Sequence, residues 1–237
     1  MITDLKTAAW LDLLDPGDPA PLEALRAEAS AADVPVISRA GEALLKTVIA
    51  MIRPRRVLEV GTAVGFSALM MCSVLPEDAE IDTIEHWEPR LREAEKNIGS
   101  SVYRDRIRLI AGDAGKILPG LPSEHYDLIF MDAAKGQYGV WLPHLLKCLK
   151  TGGVLFSDNV LQGGTIAESR FALDRRERTI HARMREYLRT LTHTEGLVTS
   201  VIPCGDGAAV TVKTAAGILC GNSAETAGKI PQEEQTD

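Results

Sequence analysis

Cysteines are few in this sequence, and no two of them stand close together. The four cysteines are widely spaced and form no Cys-x-x-Cys pair, which argues against a zinc site and against a disulfide framework. Long apolar runs are also missing, because none approaches the roughly 20 residues of a membrane span. The first residues carry charged side chains among apolar ones, so they lack the apolar core of a signal peptide. We therefore expect a cytoplasmic protein without a membrane partner.

A basic excess is lacking too. The net charge of −7 argues against general coating of nucleic acid, although it leaves a local basic face open. The chain has 237 residues, a length that suits one α/β domain better than two. We predict one domain over residues 1–214, with a helical cover over residues 1–52 that either packs on a sheet or forms a dimer surface. The tail, 215–237, has no long apolar pattern and is expected to be poorly ordered.

Short apolar runs alternate with helical segments after this cover. Such an alternation predicts a doubly wound α/β sheet that is mainly parallel. Only residues 204–207 separate the last two runs, so we predict a hairpin there, with the final strand antiparallel. The predicted strands are 57–60, 81–85, 107–111, 128–132, 153–158, 198–203 and 208–213. The predicted helices among them are 67–74, 88–98, 114–118 and 141–149.

Polar side chains stand at the ends of two of these strands. Asp132 ends the fourth predicted strand, while Asp158 ends the fifth and Asn159 follows it. Ligands of open α/β sheets bind at the carboxyl ends of the strands, so these side chains converge as oxygen ligands if the two strands are neighbours. Lys135 follows one short turn after Asp132. The pattern predicts a divalent metal site with an amine base beside it.

A glycine loop lies between the first of these strands and the helix that follows. Gly61 and Gly65 allow the backbone to approach a ligand closely, but Ala63 stands where the dinucleotide fingerprint needs glycine. Glu85 ends the second strand, where a carboxylate can accept both hydroxyls of a ribose. Asp113, just after the third strand, could bond an adenine amine. The alternative interpretations are a tight turn without a ligand and acidic helix caps.

These segments, taken together, resemble the successive motifs of class I S-adenosylmethionine-dependent methyltransferases, at residues 57–68, 83–85, 112–114 and 127–132. Within that class, residues 131–138 and 157–160 resemble the metal-dependent O-methyltransferases related to catechol and caffeoyl-CoA O-methyltransferases. The resemblance implies a seven-stranded Rossmann-like sheet of order 3-2-1-4-5-7-6, with strand 7 antiparallel. The residues that it implies for the S-adenosylmethionine site are Ile37, Glu59, Gly61, Ser67, Glu85, Asp113, Ala114 and Asp132.

Segments 134–138, 158–161 and 202–207, together with the arginine-rich segment after Asn159, further resemble the bacterial tRNA 5-hydroxyuridine methyltransferases. Those enzymes make 5-methoxyuridine at the wobble position of the anticodon. The resemblance implies the tRNA anticodon loop as the partner. It also implies a symmetric dimer, which is the commonest assembly of soluble proteins.

An arginine-rich segment follows Asn159. Seven arginines and four acidic residues lie between Gly164 and Leu191, which leaves a local charge of +3. Apolar residues at helical spacing predict an amphipathic helix that packs on the sheet, with Phe171, Ile180, Met184, Tyr187 and Leu191 on its apolar face. The segment is interpreted either as a solvated helix with ion pairs or as a contact for tRNA phosphates.

Methyl transfer to oxygen requires a deprotonated acceptor held close to the donor. Mg²⁺ suits Asp132, Asp158 and Asn159, and an acceptor with two adjacent oxygens can chelate it. Both a catechol and 5-hydroxyuracil have such a pair. Lys135 could take the proton, the alternative being a solvated surface lysine. The leading hypothesis is tRNA 5-hydroxyuridine methylation, and the others are a catechol or hydroxycinnamoyl O-methyltransferase and a nucleotide-binding protein without catalysis.

Overall fold

Seven strands form a single sheet. The computed structural model describes residues 5–169, 171, 173–174 and 177–218. The strands are β1 Arg56–Val60, β2 Glu80–Glu85, β3 Ile107–Ala111, β4 Tyr126–Met131, β5 Leu149–Ser157, β6 Leu197–Ile202 and β7 Ala208–Lys213. Their order is β3-β2-β1-β4-β5-β7-β6, and β7 is antiparallel to both neighbours. The predicted fold class and strand order are confirmed.

Helices cover both faces of this sheet. They are α1 Leu5–Asp12, α2 Ala20–Ala31, α3 Arg39–Ile52, α4 Phe66–Val74, α5 Glu88–Gly99, α6 Ala114–Ile117, α7 Tyr138–Cys148 and α8 Glu177–His193. Neighbouring residues of a strand point to opposite faces, and accordingly Val57 belongs to the core under α2 to α5 whereas Leu58 belongs to the core under α7 and α8. Ser38 caps α3, as its accepted bond from the Gly41 N–H shows.

The register of the central strands determines where the polar strand ends lie. β4 pairs with β5 in parallel, and Met131 lies opposite Ser157. The N–H of Asp158 donates to the carbonyl of Met131 over 2.9 Å, so the ladder continues one residue past the strand. Asp132 and Asp158 therefore leave the sheet at the same edge. This is the convergence that the apolar runs predicted.

Several predicted boundaries are wrong by a few residues. Asp132 and Asp158 lie just after their strands and not within them, and β5 begins at Leu149 where the prediction began at Gly153. The pairing of β5 with β4 shifts register before Leu128, so an irregular stretch separates the two paired parts of β5. The helix expected from residue 141 begins at Tyr138. The buried hydroxyl of Tyr138 lies 3.2 Å from the carbonyl oxygen of Met131, at the end of β4, and 3.1 Å from that of Asp158, just after β5.

The arginine-rich segment forms the predicted amphipathic helix, α8, but its buried stripe differs from the prediction. Met184, Tyr187 and Leu191 are buried, whereas Ile180 is 40% exposed and Phe171 is 79% exposed. His181, 2% exposed, occupies the place expected for Ile180. Helical spacing does not explain this difference, because Ile180 and His181 both lie within about one turn of Met184 and Ile180 is the nearer of the two to the centre of the stripe. Phe171 precedes the helix.

Some of the predictions concern residues that the structure does not describe. Residues 1–4, Arg170, Arg175, Arg176 and all of the tail after residue 218 lie outside the described residues. Three of the cysteines, Cys72, Cys148 and Cys204, are free thiols. In the part of the chain that the structure describes, no helix combines the length and the apolar character needed to cross a bilayer.

Candidate active site

Two cavities open at the carboxyl edge of the central strands and meet at Gly61 and Asp132. One, here called the Glu85 cleft, has a volume of about 560 Å³ and is lined by the predicted residues Gly61, Glu85, Asp113, Ala114 and Asp132. The other, here called the Lys135 pocket, has a volume of about 370 Å³ and is lined by the predicted residues Ile37, Gly61, Ser67, Asp132, Lys135, Asp158 and Asn159. A further groove between α2 and α5, of about 470 Å³, contains none of these residues.

Gly61 cannot be replaced by a larger residue without moving the backbone. Its φ is +103°, and an added Cβ would lie 2.1 Å from the carbonyl oxygen of Asp132. The N–H groups of Gly61 and Thr62 both donate to the carbonyl of Ile84, which fixes the loop against β2. Ala63 stands where the dinucleotide fingerprint needs glycine, and it has a left-handed φ of 47° even so. The loop therefore brings two strand ends into direct backbone contact.

Glu85 is fixed at the end of β2 by backbone donors. Its carboxylate accepts from the N–H groups of Ala63 at 2.9 Å, His86 at 2.9 Å and Trp87 at 2.8 Å. A carboxylate offers about four lone-pair positions, so one is still open to a hydroxyl donor in the cleft. Asp113 caps α6 by accepting from the N–H of Lys116 at 3.2 Å. For Asp113 the cap interpretation is therefore correct, and the residue lines the cleft as well.

Glu59 is the predicted site residue that the structure does not place on a cavity wall. It is fully buried beneath the glycine loop, where its carboxylate accepts from the hydroxyls of Ser67 and Thr83. Burial, with smaller contributions from the charges of Asp132 and Glu85, raises the pKa of Glu59 to about 7. Ser67 lines the Lys135 pocket. Ser67 thus links Glu59 to the wall of this pocket.

Asp132, Asp158 and Asn159 form a compact oxygen-rich group. Asn159 Nδ2 lies 3.0 Å from Asp132 Oδ1, and the backbone N–H of Asn159 donates to Asp158 Oδ1 at 2.8 Å. Burial and then the charge of Asp132 raise the pKa of Asp158 to about 7. Burial also raises the pKa of Asp132, while Asn159 and the charge of Lys135 lower it. Two carboxylates that repel each other in this way favour a cation between them.

The residues fit a hard divalent cation such as Mg²⁺. Carboxylate and amide oxygens with retained waters are its usual ligands, and an amide presents either oxygen or nitrogen depending on its rotation. Among the described residues, no three His, Cys, Asp or Glu side chains are grouped as a metal site. A cation here would consequently have two carboxylates and the Asn159 amide, which suits Mg²⁺ better than zinc. Lys135 begins a 3₁₀ turn, Lys135–Gln137, on the wall of the same pocket.

Sequence reasoning missed some residues of these cavities. Asp206 lines the Lys135 pocket, and its charge contributes to the raised pKa of Asp158. Asp206 lies in the loop of the β6–β7 hairpin. The sequence of that loop was recognised as a motif, but no role was predicted for Asp206. Trp141 lines the Glu85 cleft from α7. Nothing at the strand ends indicates it, because it reaches the cleft through the packing of a helix.

A seven-stranded sheet of this order, with a glycine loop and an acidic strand end beside a cleft, defines the class of S-adenosylmethionine-dependent methyltransferases. The chain belongs to the O-methyltransferase family, whose model matches residues 18–214. It is therefore an S-adenosylmethionine-dependent O-methyltransferase.

The relatives agree with this assignment. A catechol O-methyltransferase of Mycobacterium tuberculosis is 32% identical over 164 residues, covering 68% of this chain and 74% of that protein. A Staphylococcus aureus protein with the provisional name caffeoyl-CoA O-methyltransferase superposes with a TM-score of 0.81 at 29% identity, covering 89% of this chain and 100% of that one. An O-methyltransferase of Bacillus cereus, solved with SAH, has the same fold with a TM-score of 0.76 at 21% identity, covering 90% and 100%.

Proposed function

We propose that this enzyme is a divalent-metal-dependent O-methyltransferase and that its acceptor is 5-hydroxyuridine in a tRNA anticodon loop. The metal part of the proposal rests on the Asp132, Asp158 and Asn159 group. The acceptor part rests on one observation, the position of α8. Arg183 of this helix donates to the carbonyl of Gly136 over 3.2 Å, one residue from Lys135.

The residues of the Lys135 pocket then have separate tasks. Asp132, Asp158 and Asn159 would hold Mg²⁺, which when bound acidifies a hydroxyl and orients it. Lys135 accepts the proton of that hydroxyl. Gly61 and Ser67 hold the methyl donor against Asp132, at the junction of the two cavities. An acceptor oriented in this way reaches near-attack geometry, which is worth ~7–11 kcal/mol of the barrier in favourable cases.

The tRNA proposal is supported by the positive charge on α8, whose residue Arg183 contacts the turn that contains Lys135. Arg183, Arg185 and Arg189 all have exposed side chains on α8, although the net charge of the chain is −7. The guanidinium of Arg183 beside this turn, and those exposed elsewhere on α8, are suited to backbone phosphates. An unpaired anticodon base can be turned out into a pocket, as is usual in RNA recognition. Its 5-hydroxyl and 4-carbonyl offer the adjacent oxygens that a metal chelates.

A small catechol-like acceptor is the second candidate. It is favoured by the names of the relatives, among which the Mycobacterium tuberculosis protein is a catechol O-methyltransferase. A catechol offers the same pair of oxygens, so the strand-end residues would act on it in the same way. What separates the candidates is whether the arginines of α8 contribute to catalysis. Membership of the O-methyltransferase family argues against a nucleotide-binding protein without catalysis.

Two measurements test the choice. Nucleoside mass spectrometry of tRNA from cells lacking the gene should show loss of 5-methoxyuridine with accumulation of 5-hydroxyuridine. In vitro, Arg183→Gln with Arg189→Gln should lower kcat/KM for tRNA and leave methylation of catechol unchanged. Arg92→Gln on the exposed face of α5 is the matched control. Unchanged tRNA nucleosides together with efficient catechol methylation would favour the second candidate. A homodimer stays a prediction, which sedimentation of the full chain would check.

A further inference from the structure

Arg26 lies on α2, far in sequence from the strand-end motifs, yet it contacts two residues of the Lys135 pocket. Its Nη1 donates to the carbonyl of Ile37 over 2.9 Å. Its guanidinium also lies over the ring of Phe66, 4.4 Å from the ring centroid. Ile37 and Phe66 are both lining residues of the pocket. One side chain of the helical cover therefore joins the segment before α3 to the helix after the glycine loop.

The segment that Arg26 holds has little support of its own. Residues 34–38 belong to no helix or strand, although four of them, 35–38, form part of the pocket wall. An extended segment without a ladder of backbone bonds takes its position from side-chain contacts. On its far side, an added Cβ at Gly205 in the β6–β7 loop would lie 2.1 Å from Ser38 Oγ. The segment is thus packed between Arg26 and this loop.

Arg26 is itself fixed by a network of buried charges. Its Nη2 pairs with the carboxylate of Glu42 on α3, and Glu42 also pairs with Lys46 at 2.5 Å. Lys46 and Arg39 both contact Asp18, at 2.5 and 3.5 Å. The side chains of Asp18 and Glu42 are only 0% and 3% exposed. Buried charges are costly unless they are paired in good geometry, so the network allows Arg26 few alternative positions.

We propose that Arg26 is a positioning residue for the methyl-donor side of the Lys135 pocket. Through Ile37 and Phe66 it sets the distance between the segment 35–38 and the glycine loop. The wall that the donor meets is then formed before the donor binds. Preorganisation of this kind increases affinity because the protein loses less freedom on binding. The proposal depends on the O-methyltransferase activity alone and holds for either acceptor.

The test compares Arg26→Met with Arg106→Met in the full-length enzyme. Arg106 is a matched control, because its side chain also donates to two backbone carbonyls, at 3.0 and 2.6 Å, and lies 5.8 Å from an aromatic ring centroid. It lies at the opposite edge of the sheet, before β3. Arg26→Lys keeps the charge but not the forked geometry, and it serves as the conservative variant. Affinity for S-adenosylmethionine is measured by calorimetry below the unfolding temperature of each variant, and kcat and KM are measured with catechol or tRNA.

Arg26→Met is expected to weaken S-adenosylmethionine binding by about tenfold, the effect of one lost bond to a charged group. Arg106→Met should lower thermal stability without changing donor affinity. The donor affinity of Arg26→Lys should fall between those of the wild type and Arg26→Met. Equal donor affinity in the two methionine variants would overturn the proposal. The proposal would also be overturned if Arg26→Met failed to fold while Arg26→Lys bound S-adenosylmethionine with wild-type affinity. Arg26 would then support the fold and not the donor site.

Discussion

Asn159 Nδ2 lies 3.0 Å from Asp132 Oδ1, and this contact joins the ends of two neighbouring strands that are 27 residues apart in sequence. Asn159 adopts a left-handed φ of 60°, a conformation that asparagine tolerates better than most residues. The turn directs its side chain back toward Asp132 and not away from the sheet. Asp132, which contacts Asn159 in this way, lines both the Glu85 cleft and the Lys135 pocket.

The first prediction concerns the metal group. Asp158→Ala should lose the stimulation of methyl transfer by Mg²⁺. We expect kcat/KM to fall by ~10²-fold or more, because a Lewis acid supplies several kcal/mol to such a reaction. The fold should persist, because the change removes a buried carboxylate from the repulsion of Asp132. The control is Asp127→Asn. In the wild type the Asp127 carboxylate accepts from the backbone N–H groups of Arg55 and Arg56 and from Lys150 Nζ, at the opposite edge of the sheet. Full activity of Asp158→Ala in the presence of a chelator would contradict the metal assignment.

The second prediction concerns the close approach at Gly61. Gly61→Ala should weaken S-adenosylmethionine binding by at least about tenfold, since its Cβ meets the Asp132 carbonyl and must displace a strand end shared by both cavities. Gly152→Ala is the matched control, because Gly152 also has a positive φ, +85°, but an added Cβ there meets nothing within 4 Å. That control should cost only ~1–2 kcal/mol of stability. Equal loss of donor affinity in the two variants would assign the effect to backbone strain alone.

The strand ends were predictable because their signals are local. An apolar run followed by a carboxylate marks the carboxyl end of a buried strand, and this reasoning brought Asp132, Asp158 and Asn159 to one edge of the sheet, although both aspartates lie one residue past their strands. Asp206 was missed because its role depends on how the β6–β7 loop packs against the site. The Arg26 network was missed for the same reason, since pairs between separate helices leave no periodic pattern in the sequence. At the start of α8 the spacing favours Ile180, and the burial of His181 in its stead depends on packing that leaves no periodic pattern in the sequence.

The third prediction concerns Lys135. Lys135→Ala should retain S-adenosylmethionine binding and lose ~10²–10⁴-fold in kcat, which is the usual contribution of a general base. The limb of the pH–rate profile that belongs to this base should disappear, and its disappearance distinguishes a base from a residue that only attracts the acceptor. Lys116→Ala on α6 is the control. A Lys135→Ala variant whose slowed reaction keeps the wild-type pH–rate profile would remove Lys135 from the role of base.

The fourth prediction uses the raised pKa of Glu59. Because the folded-state pKa is about 7 and the ordinary value is 4.5, the protonated carboxyl favours folding. This contribution is complete below pH 4.5 and is lost as the pH rises through 7. Glu59→Gln imitates the protonated form, so near pH 5 it should match the wild type. At pH 8 it should be more stable by about 3 kcal/mol. Urea unfolding of the donor-free protein at both pH values measures this difference. Parallel stability profiles of the two proteins would show that Glu59 does not titrate in this range, and that its carboxylate stays charged beneath the glycine loop.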